Sequence, residues 1–337
     1  MKCAYIKDYD ICLGRAPLPI PEAEEILIKV EAIGLNRADI LQVQGMYQSR
    51  ESFSSESKLE IPGLEVSGFC MKTGKRVMAL LKKGGQAEYV PAHRSMVFEI
   101  PEAIDFVTAA SIPEAIVTIW LNLYKLGKLE VPSIERLTRH QQLNGSVLIH
   151  GGSSGVGILA VQFALASGYK VYTTASSVEK LNIFHDIYKN NQQEAFIKQN
   201  LHLLSYIDDF HEIIRKDGGV DLILDIFGGE YLEKNLKALK EYGKIVSIAT
   251  MSAPKAEISV GRLLLKNLTL IGSTLKSKPI EQKIELFHGA MKNLLPLITE
   301  KNVHVVIDSQ FKLDDIKLAY DRIKSRKNIG KVALTVR

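Results

Sequence analysis

Residues 146–164 read SVLIHGGSSGVGILAVQFA, which is an apolar strand, a glycine-rich turn and an apolar helix in succession. Gly152, Gly155 and Gly157 permit a tight turn and a close approach of the backbone to a ligand. Amide N–H groups at a helix N-terminus favour an anion, so we expect this turn to bind a pyrophosphate. The spacing is G-x-x-G-x-G and departs from the usual G-x-G-x-x-G, so a tight turn in another kind of α/β protein stays an alternative.

Apolar runs and helical patterns alternate along the chain from about residue 145 to residue 272. After the glycine turn come the strand-like runs VDLILD (220–225), GKIVSIA (243–249) and LTLIG (268–272). Such an alternation predicts an α/β fold built on a doubly wound parallel sheet of the Rossmann type. The last run reads as an edge strand.

The two flanking regions have a different pattern. Residues 1–120 carry short strand-like runs broken by Gly and Pro, so this half is predicted to be mostly β. Residues 121–272 form the predicted Rossmann domain. The remaining residues, 273–337, are too few for an independent domain, and we expect them to return to the first half. The polar stretches 131–144 and 184–206 are interpreted as surface elaborations.

Composition narrows the classes of protein that fit. The 337 residues favour two domains, and the chain is 46% hydrophobic and 24% charged, as in ordinary globular proteins. The net charge of +5 is spread without basic blocks, which argues against a nucleic-acid partner. The three cysteines form no C-x-x-C pair, no signal peptide is evident, and no run of about 18 apolar residues predicts a membrane partner. We therefore expect a cytoplasmic protein.

The end of the strand after the glycine turn bears on the choice of dinucleotide. NAD enzymes place an acidic residue about 20 positions after the turn, where it binds the adenosine ribose. Here residues 171–181 read VYTTASSVEKL, and the acid is missing at the strand end. Ser177 and Lys180 can contact a 2′-phosphate instead, which favours NADPH over NADH. Because Glu179 stands beside Lys180, a solvated helix start without this role stays an alternative.

A series of motifs resembles, in order, the quinone oxidoreductase branch of the medium-chain dehydrogenase/reductase superfamily, which includes zeta-crystallin. Besides the glycine turn, the motifs are LNRADILQVQGMY (35–47), IPGLEVSG (61–68), ALLKKGGQAEYV (79–90), IPEAIVTIW (112–120), DLILDIFGG (221–229) and NIGKVAL (328–334). The resemblance implies a mostly β GroES-like catalytic domain, split in sequence around the Rossmann domain, with the cofactor in the cleft between them.

The same resemblance bears on metal binding. Zinc-dependent members of the superfamily place a cysteine near the positions of Asn36 to Ala38 and a Gly-His-Glu triplet where this chain has Gly63, Leu64 and Glu65. A leucine side chain cannot coordinate zinc. We therefore expect no metal site.

The resemblance also implies site residues. Tyr47 is the one catalytic candidate, as a hydrogen-bond donor to the cofactor or to the acceptor oxygen, and an aromatic wall of the site is its alternative role. The implied cofactor contacts lie at the nicotinamide end, in the glycine turn, after the sheet strands and in the tail. They are Asn36, Tyr47, Thr118, Gly152, Ser154, Gly155, Val156, Gly157, Ser177, Lys180, Phe227, Gly228, Ile248, Thr250, Ser273, Thr274, Leu275 and Asn328.

The activity implied is zinc-independent reduction of quinones by NADPH, as hydride or in one-electron steps. One alternative is an NADPH-dependent reductase of enone or enoyl double bonds, which would need a proton donor such as Tyr47. Another is a low-turnover NADPH-binding sensor or RNA-binding protein. The family also implies a homodimer through the edge strand at 268–275.

Overall fold

The computed structural model of the protein describes two compact units. The described residues are 1–46, 59–132, 135, 143, 145–189 and 193–336. One unit combines Met1–Ala115 with Val305–Arg337, and the other is Ile116–His304. The second unit thus runs past residue 272, because the helix that follows packs inside it: a Cβ on Gly289 would lie 2.5 Å from Nε1 of Trp120.

The helices and strands are numbered in chain order. The strands are β1 (Lys2–Lys7), β2 (Asp10–Arg15), β3 (Glu25–Leu35), β4 (Glu65–Cys70), β5 (Arg76–Leu80), β6 (Tyr89–His93), β7 (Val97–Glu99), β8 (Ser146–His150), β9 (Lys170–Ala175), β10 (Leu201–Ser205), β11 (Val220–Asp225), β12 (Leu239–Ser247), β13 (Thr269–Gly272), β14 (Ile307–Lys312) and β15 (Lys331–Thr335). The α-helices are α1 (Arg37–Val43), α2 (Phe106–Ala110), α3 (Pro113–Ile119), α4 (Gly155–Ala166), α5 (Ile183–Tyr188), α6 (Glu194–Asn200), α7 (Phe210–Lys216), α8 (Tyr231–Ala238), α9 (Val260–Leu265), α10 (Ile280–Thr299) and α11 (Ile316–Lys324).

The first unit is built on a sheet in the order β14-β15-β3-β4-β5-β7, with β6 also paired to β3. The long strand β3 is central because it pairs with β4, β6 and the C-terminal strand β15. Its apolar residues, among them Ile28 and Val30, are fully buried, and α11 contributes Tyr320 to the same core. The C-terminal segment thus completes the sheet that the N-terminal half begins.

The second unit is built on a sheet in the order β10-β9-β8-β11-β12-β13, and every pair in it is parallel. This is the strand order of a doubly wound Rossmann sheet, so the predicted fold class is confirmed. The direction of winding reverses between β8 and β11. Ligands of such sheets bind beyond the carboxyl ends of the strands at that point.

The interpretation of residues 184–206 as a surface elaboration was wrong. The segment contains α5, α6 and β10, and β10 pairs with β9 as part of the sheet. Phe184 and Tyr188 are buried. The short strand was missed because the polar residues before it hide its apolar pattern. Of the other stretch, 131–144, only residues 131, 132, 135 and 143 are described. No helix in the described part of the chain is long and apolar enough to cross a membrane.

The glycine turn between β8 and α4 is closely packed. A Cβ on Gly152 would lie 1.9 Å from Oγ1 of Thr173, and one on Gly157 would lie 2.1 Å from the carbonyl oxygen of Gly151. The N–H of Gly152 also donates to the carbonyl of Thr174 at 2.9 Å. The turn therefore lies directly against β9, and only glycine fits at these two positions.

We expect Gly152→Ala to lower the free energy of unfolding by about 1–3 kcal/mol, because the added methyl group must displace Thr173 or the turn. Gly261→Ala is the matched control, since its nearest side-chain atom is 3.9 Å from an added Cβ and α9 gains helix propensity. Urea unfolding followed by circular dichroism measures both. Equal midpoints for Gly152→Ala and the wild type would contradict the described packing.

Candidate functional site

The N-terminus of α4 presents unpaired N–H groups at the point where the sheet reverses. Ser154 caps the helix, and its Oγ accepts from the N–H of Gly157 at 3.0 Å. Within the described residues, the N–H groups of Gly155 and Val156 meet no protein acceptor. Two free donors at the positive end of a twelve-residue helix form a site for an anion.

A buried histidine that was not selected from the sequence lies directly before this turn. His150, the last residue of β8, is buried, with Nδ1 at 2.7 Å from Oγ1 of Thr174 and Nε2 at 2.8 Å from Oδ1 of Asn235. Burial lowers the pKa of His150 from its usual value, so the ring is neutral. Because an amide oxygen only accepts, Nε2 donates and Nδ1 accepts from the threonine hydroxyl. The ring thus ties together β8, β9 and α8.

The loop after β11 is shaped by the buried carboxylate of Asp225. Its oxygens accept from the N–H of Phe227 at 2.9 Å, from the N–H of Gly228 at 3.3 Å and from the hydroxyl of Ser247 at 3.2 Å. Phe227 and Gly228 follow the strand as predicted, but their N–H groups point inward at this carboxylate. Asp225 belongs to one of the recognised motifs and was not predicted as a residue of the site.

An aromatic cluster lies at the same edge of the sheet. The ring of Phe227 is 5.1 Å from that of His150, 4.9 Å from that of Tyr206 and 4.6 Å from that of Tyr231. Tyr206 is half-buried and directly follows β10. Its position was not foreseen, because the strand before it was not recognised.

Ser177 and Lys180 lie just after β9, at the strand end where the sequence placed them. Ser177 precedes a 3₁₀ turn at Val178–Asn182. A hydrogen bond from the Ser177 side chain lowers the pKa of the exposed Glu179 carboxyl. The carboxyl of Glu179 therefore accepts a hydrogen bond from the Ser177 hydroxyl. NAD enzymes carry their acidic residue at the end of the strand, whereas Glu179 lies a few residues beyond it.

Five more predicted residues of the second unit follow its strands β12 and β13. Ile248 follows β12 and donates its N–H to the carbonyl of Asp225 at 2.8 Å, while Thr250 is exposed. Ser273 follows β13 and donates its N–H to the carbonyl of Ser247 at 3.0 Å. Thr274 and Leu275 come next, the first exposed and the second half-buried.

Three more predicted residues lie outside this group. Thr118 lies in α3, and its carbonyl accepts from the side chain of Asn122 at 2.7 Å. Asn328, in the first unit, donates from Nδ2 to the carbonyl of Gly330 at 2.9 Å. Tyr47, the catalytic candidate, lies outside the described residues.

The first unit contains a buried ionic cluster around Asn36. Nζ of Lys331 is 2.5 Å from Oε1 of Glu65 and 2.7 Å from Oδ1 of Asn36. Nδ2 of Asn36 donates to the same Glu65 oxygen at 2.9 Å, and the N–H of Asn36 donates to Oδ2 of Asp39 at 2.7 Å. Oε2 of Glu65 accepts from the N–H of Glu114 at 2.9 Å. Glu65, Lys331 and Asp39 were not chosen from the sequence as site residues.

These partners also bear on metal binding. Glu65 and Asn36 are bound to an ammonium group, and Leu64, just before β4, offers only hydrocarbon. The three positions therefore do not fit a zinc ion. In the described part of the chain, no three His, Cys, Asp or Glu side chains are grouped as metal ligands.

Asp39 is the most strongly perturbed carboxyl group of this cluster. Burial raises its pKa to about 7, opposed by the backbone N–H of Asn36 and by the charge of Lys331, while the charge of Glu65 adds to the rise. The cluster holds one ammonium and two carboxyl groups, so a proton on Asp39 makes it neutral.

The cluster predicts a pH dependence of stability. The folded-state pKa of Asp39 lies above the unfolded value. The stability that its protonated carboxyl contributes is therefore fully present below the unfolded pKa and is lost as the pH rises through about 7. Asp39→Asn stays uncharged. We expect the free energy of unfolding of the wild type to fall relative to this variant by about 2–3 kcal/mol between pH 5 and pH 8. Denaturant titrations at each pH measure this, and parallel curves for the two proteins would contradict it.

Comparisons with known proteins match both units. The model of the alcohol dehydrogenase GroES-like domain matches residues 22–102, and that of the zinc-binding dehydrogenase family matches residues 155–300. The chain is 28% identical over 318 residues to the squalestatin tetraketide synthase of Phoma sp. (strain C2932). That match covers 92% of this chain and only 11% of the synthase.

Two further proteins are similar over most of their own length. The human synaptic vesicle membrane protein VAT-1 homolog is 28% identical over 342 residues, which cover 94% of this chain and 80% of that protein. The quinone oxidoreductase from Thermus thermophilus, solved also in complex with NADPH, is 28% identical with a TM-score of 0.80. That match covers 100% of both chains.

Proposed function

This chain belongs to the quinone oxidoreductase and VAT-1 branch of the medium-chain dehydrogenase/reductase superfamily, and from that premise we propose that it is an NADPH-dependent reductase of quinones. The observation that carries the proposal is the capped glycine turn at the reversal of the sheet, beside a strand β9 that ends without an acidic residue. The structure of the Thermus thermophilus relative with NADPH supports the choice of cofactor.

The residues present fit this cofactor. The free N–H groups of Gly155 and Val156 would hold the pyrophosphate, and the glycines at 152 and 157 let the turn pack against β9 and against its own backbone. Ser177 and Lys180 would hold the 2′-phosphate. The proposal keeps the remaining predicted contacts as positions around the cofactor: Asn36, Tyr47, Thr118, Ser154, Phe227, Gly228, Ile248, Thr250, Ser273, Thr274, Leu275 and Asn328.

Bound NADPH supplies a hydride to the acceptor. The chain's own contribution is to position the two reactants. His150 is held neutral, and the buried carboxylate of Asp225 is held at the strand end by three neutral hydrogen-bond donors. A quinone needs no dedicated acid, because the reduced product can take protons from water, and Tyr47 is our candidate for a hydrogen bond to its oxygen.

The proposal is tested by NADPH and NADH oxidation, measured separately with ortho-quinones, para-quinones and a short enone. Rapid oxidation of NADPH with a quinone and slow oxidation with the enone is the expected result. Tyr47→Phe should retain most quinone activity. Faster turnover of the enone, lost in Tyr47→Phe, would overturn the proposal in favour of a double-bond reductase, and tight NADPH binding without turnover would favour a sensor or binding protein.

Charge reversal at Lys180 should change the preference between the two dinucleotides. We expect Lys180→Glu to raise the KM for NADPH by about ten- to a hundredfold and to leave the KM for NADH nearly unchanged, because only NADPH carries the 2′-phosphate. Glu179→Gln should lower the KM for NADPH. Lys189→Glu, an exposed lysine nearby, is the matched control. An equal effect of Lys180→Glu on both cofactors would refute the assignment.

We further propose that two copies of the chain pair through β13. This strand ends the described sheet with one edge unpaired, and exposed apolar side chains lie in it, Leu270 to 42%, and in the preceding helix α9, Leu264 to 73% and Leu265 to 84%. An unpaired apolar edge invites another strand. Across a two-fold axis, β13 would meet its own copy in antiparallel orientation.

Substitution of the exposed leucines tests the dimer. We expect the wild type to sediment as a dimer and the double variant Leu265→Glu/Leu270→Lys as a folded monomer, because the charges cannot be buried at the strand edge. Leu318→Glu, at another exposed leucine in the first unit, should remain dimeric. A wild type that sediments as a monomer, or a double variant that stays a dimer, would refute this interface.

A further inference from the structure

We propose that Lys331 is a positioning residue: together with Glu65 it forms a buried clamp that fixes the side-chain amide of Asn36 in one orientation toward the bound ligand. The inference rests on the proposed function, in which Asn36 lies at the nicotinamide end of the cofactor. The clamp itself is defined by contacts within the first unit.

The sheet brings the three residues together although they are far apart in sequence. Strands β15, β3 and β4 are neighbours, with Leu35 opposite Val332 and Gly34 opposite Glu65. Asn36 follows β3, Glu65 begins β4 and Lys331 begins β15, so all three lie at one end of these strands. Gly34 leaves the space for Glu65, since a Cβ there would lie 2.4 Å from Oε1.

The charges of the clamp permit only one orientation of the amide. Oδ1 of Asn36 faces the ammonium of Lys331, which can only donate, and Nδ2 faces the carboxylate of Glu65, which can only accept. The reversed amide would place N–H groups against the ammonium and an oxygen against the carboxylate. Both contacts would be repulsive, so the clamp determines which atom of Asn36 lies on which side.

Stability alone is a poor explanation for this arrangement. Lys331 and Glu65 are almost completely buried, and a buried ion pair often contributes no more to stability than apolar residues of the same size would. What an ion pair provides and apolar residues do not is a fixed direction for a polar neighbour. Asn36 is that neighbour, because it bonds to both ions.

The clamped amide retains hydrogen-bonding capacity for a ligand. Nδ2 carries two hydrogens, of which one goes to Glu65, and the carbonyl of Gly34 is 3.5 Å away, at the limit of a hydrogen bond. Asn36 is half-buried, so the residue keeps some accessible surface. Donation from Lys331 to Oδ1 polarises the amide and makes its remaining N–H a better donor.

A mutant cycle on turnover separates positioning from folding. Lys331→Met alone leaves the buried carboxylate of Glu65 without its partner. The variant of choice is therefore Lys331→Met/Glu65→Gln, which removes both charges at nearly constant volume. We expect kcat with NADPH and a quinone to fall by about tenfold or more. In an Asn36→Ala background the same double change should have no further effect. An equal loss in both backgrounds, or unchanged kcat with the asparagine present, would overturn the inference.

A spectroscopic readout tests the clamp without turnover. Side-chain amide signals of ¹⁵N-asparagine-labelled protein are recorded by NMR, and the Asn36 pair is identified by its absence in Asn36→Ala. We expect two well-separated N–H signals that exchange slowly with each other and that shift when NADPH is added. In Lys331→Met/Glu65→Gln they should exchange faster, and an unchanged pair would overturn the clamp. A wild type with the slow pair but no NADPH shift and no turnover would overturn the proposed function and leave the clamp standing.

Discussion

The second unit depends on the contact between Gly152 and Thr173. The threonine hydroxyl donates to the carbonyl of Ile149 at 2.9 Å, and the space that remains above it admits a hydrogen and no carbon. The turn can therefore lie directly on β9, which sets where α4 begins and where Ser154 places its cap. A side chain at residue 152 would lift the turn and move the free N–H groups of the first helical turn with it. The same packing thus serves folding and fixes the position of the free N–H donors.

The two units stabilise their buried polar groups in different ways. At the strand ends of the second unit, His150 is neutral and its two ring nitrogens are satisfied by Thr174 and Asn235. In the first unit, the buried polar groups are the ion pair of Lys331 with Glu65 and the carboxyl group of Asp39, whose pKa is raised to about 7. The second unit also holds the buried carboxylate of Asp225 with neutral N–H and hydroxyl donors, whereas the first unit places the ammonium of Lys331 against Glu65.

The sequence predicted those features that depend on neighbouring residues. The strand, turn and helix at 146–164 follow from local apolar patterns and glycine spacing, and so does the edge strand at Thr269–Gly272. The clamp could not be predicted in this way, because Glu65 and Lys331 are 266 residues apart and meet only through the pairing of β15 and β4 with β3. The strand β10 was missed for a local reason, since its five residues, LHLLS, follow a long polar stretch.

In the proposed site, the choice between NADPH and NADH involves the hydroxyl of Ser177. It donates to the carboxylate of Glu179, so a 2′-phosphate would compete with that carboxylate for the same donor. A phosphate carries more negative charge and more acceptor oxygens than a carboxylate. The positive charge of Lys180 would also attract the phosphate. A serine hydroxyl rotates freely, so the exchange of partners costs little in geometry. In the proposed site the preference therefore depends on the balance between the repulsion from Glu179 and the attraction of Lys180, in addition to the missing acid at the strand end.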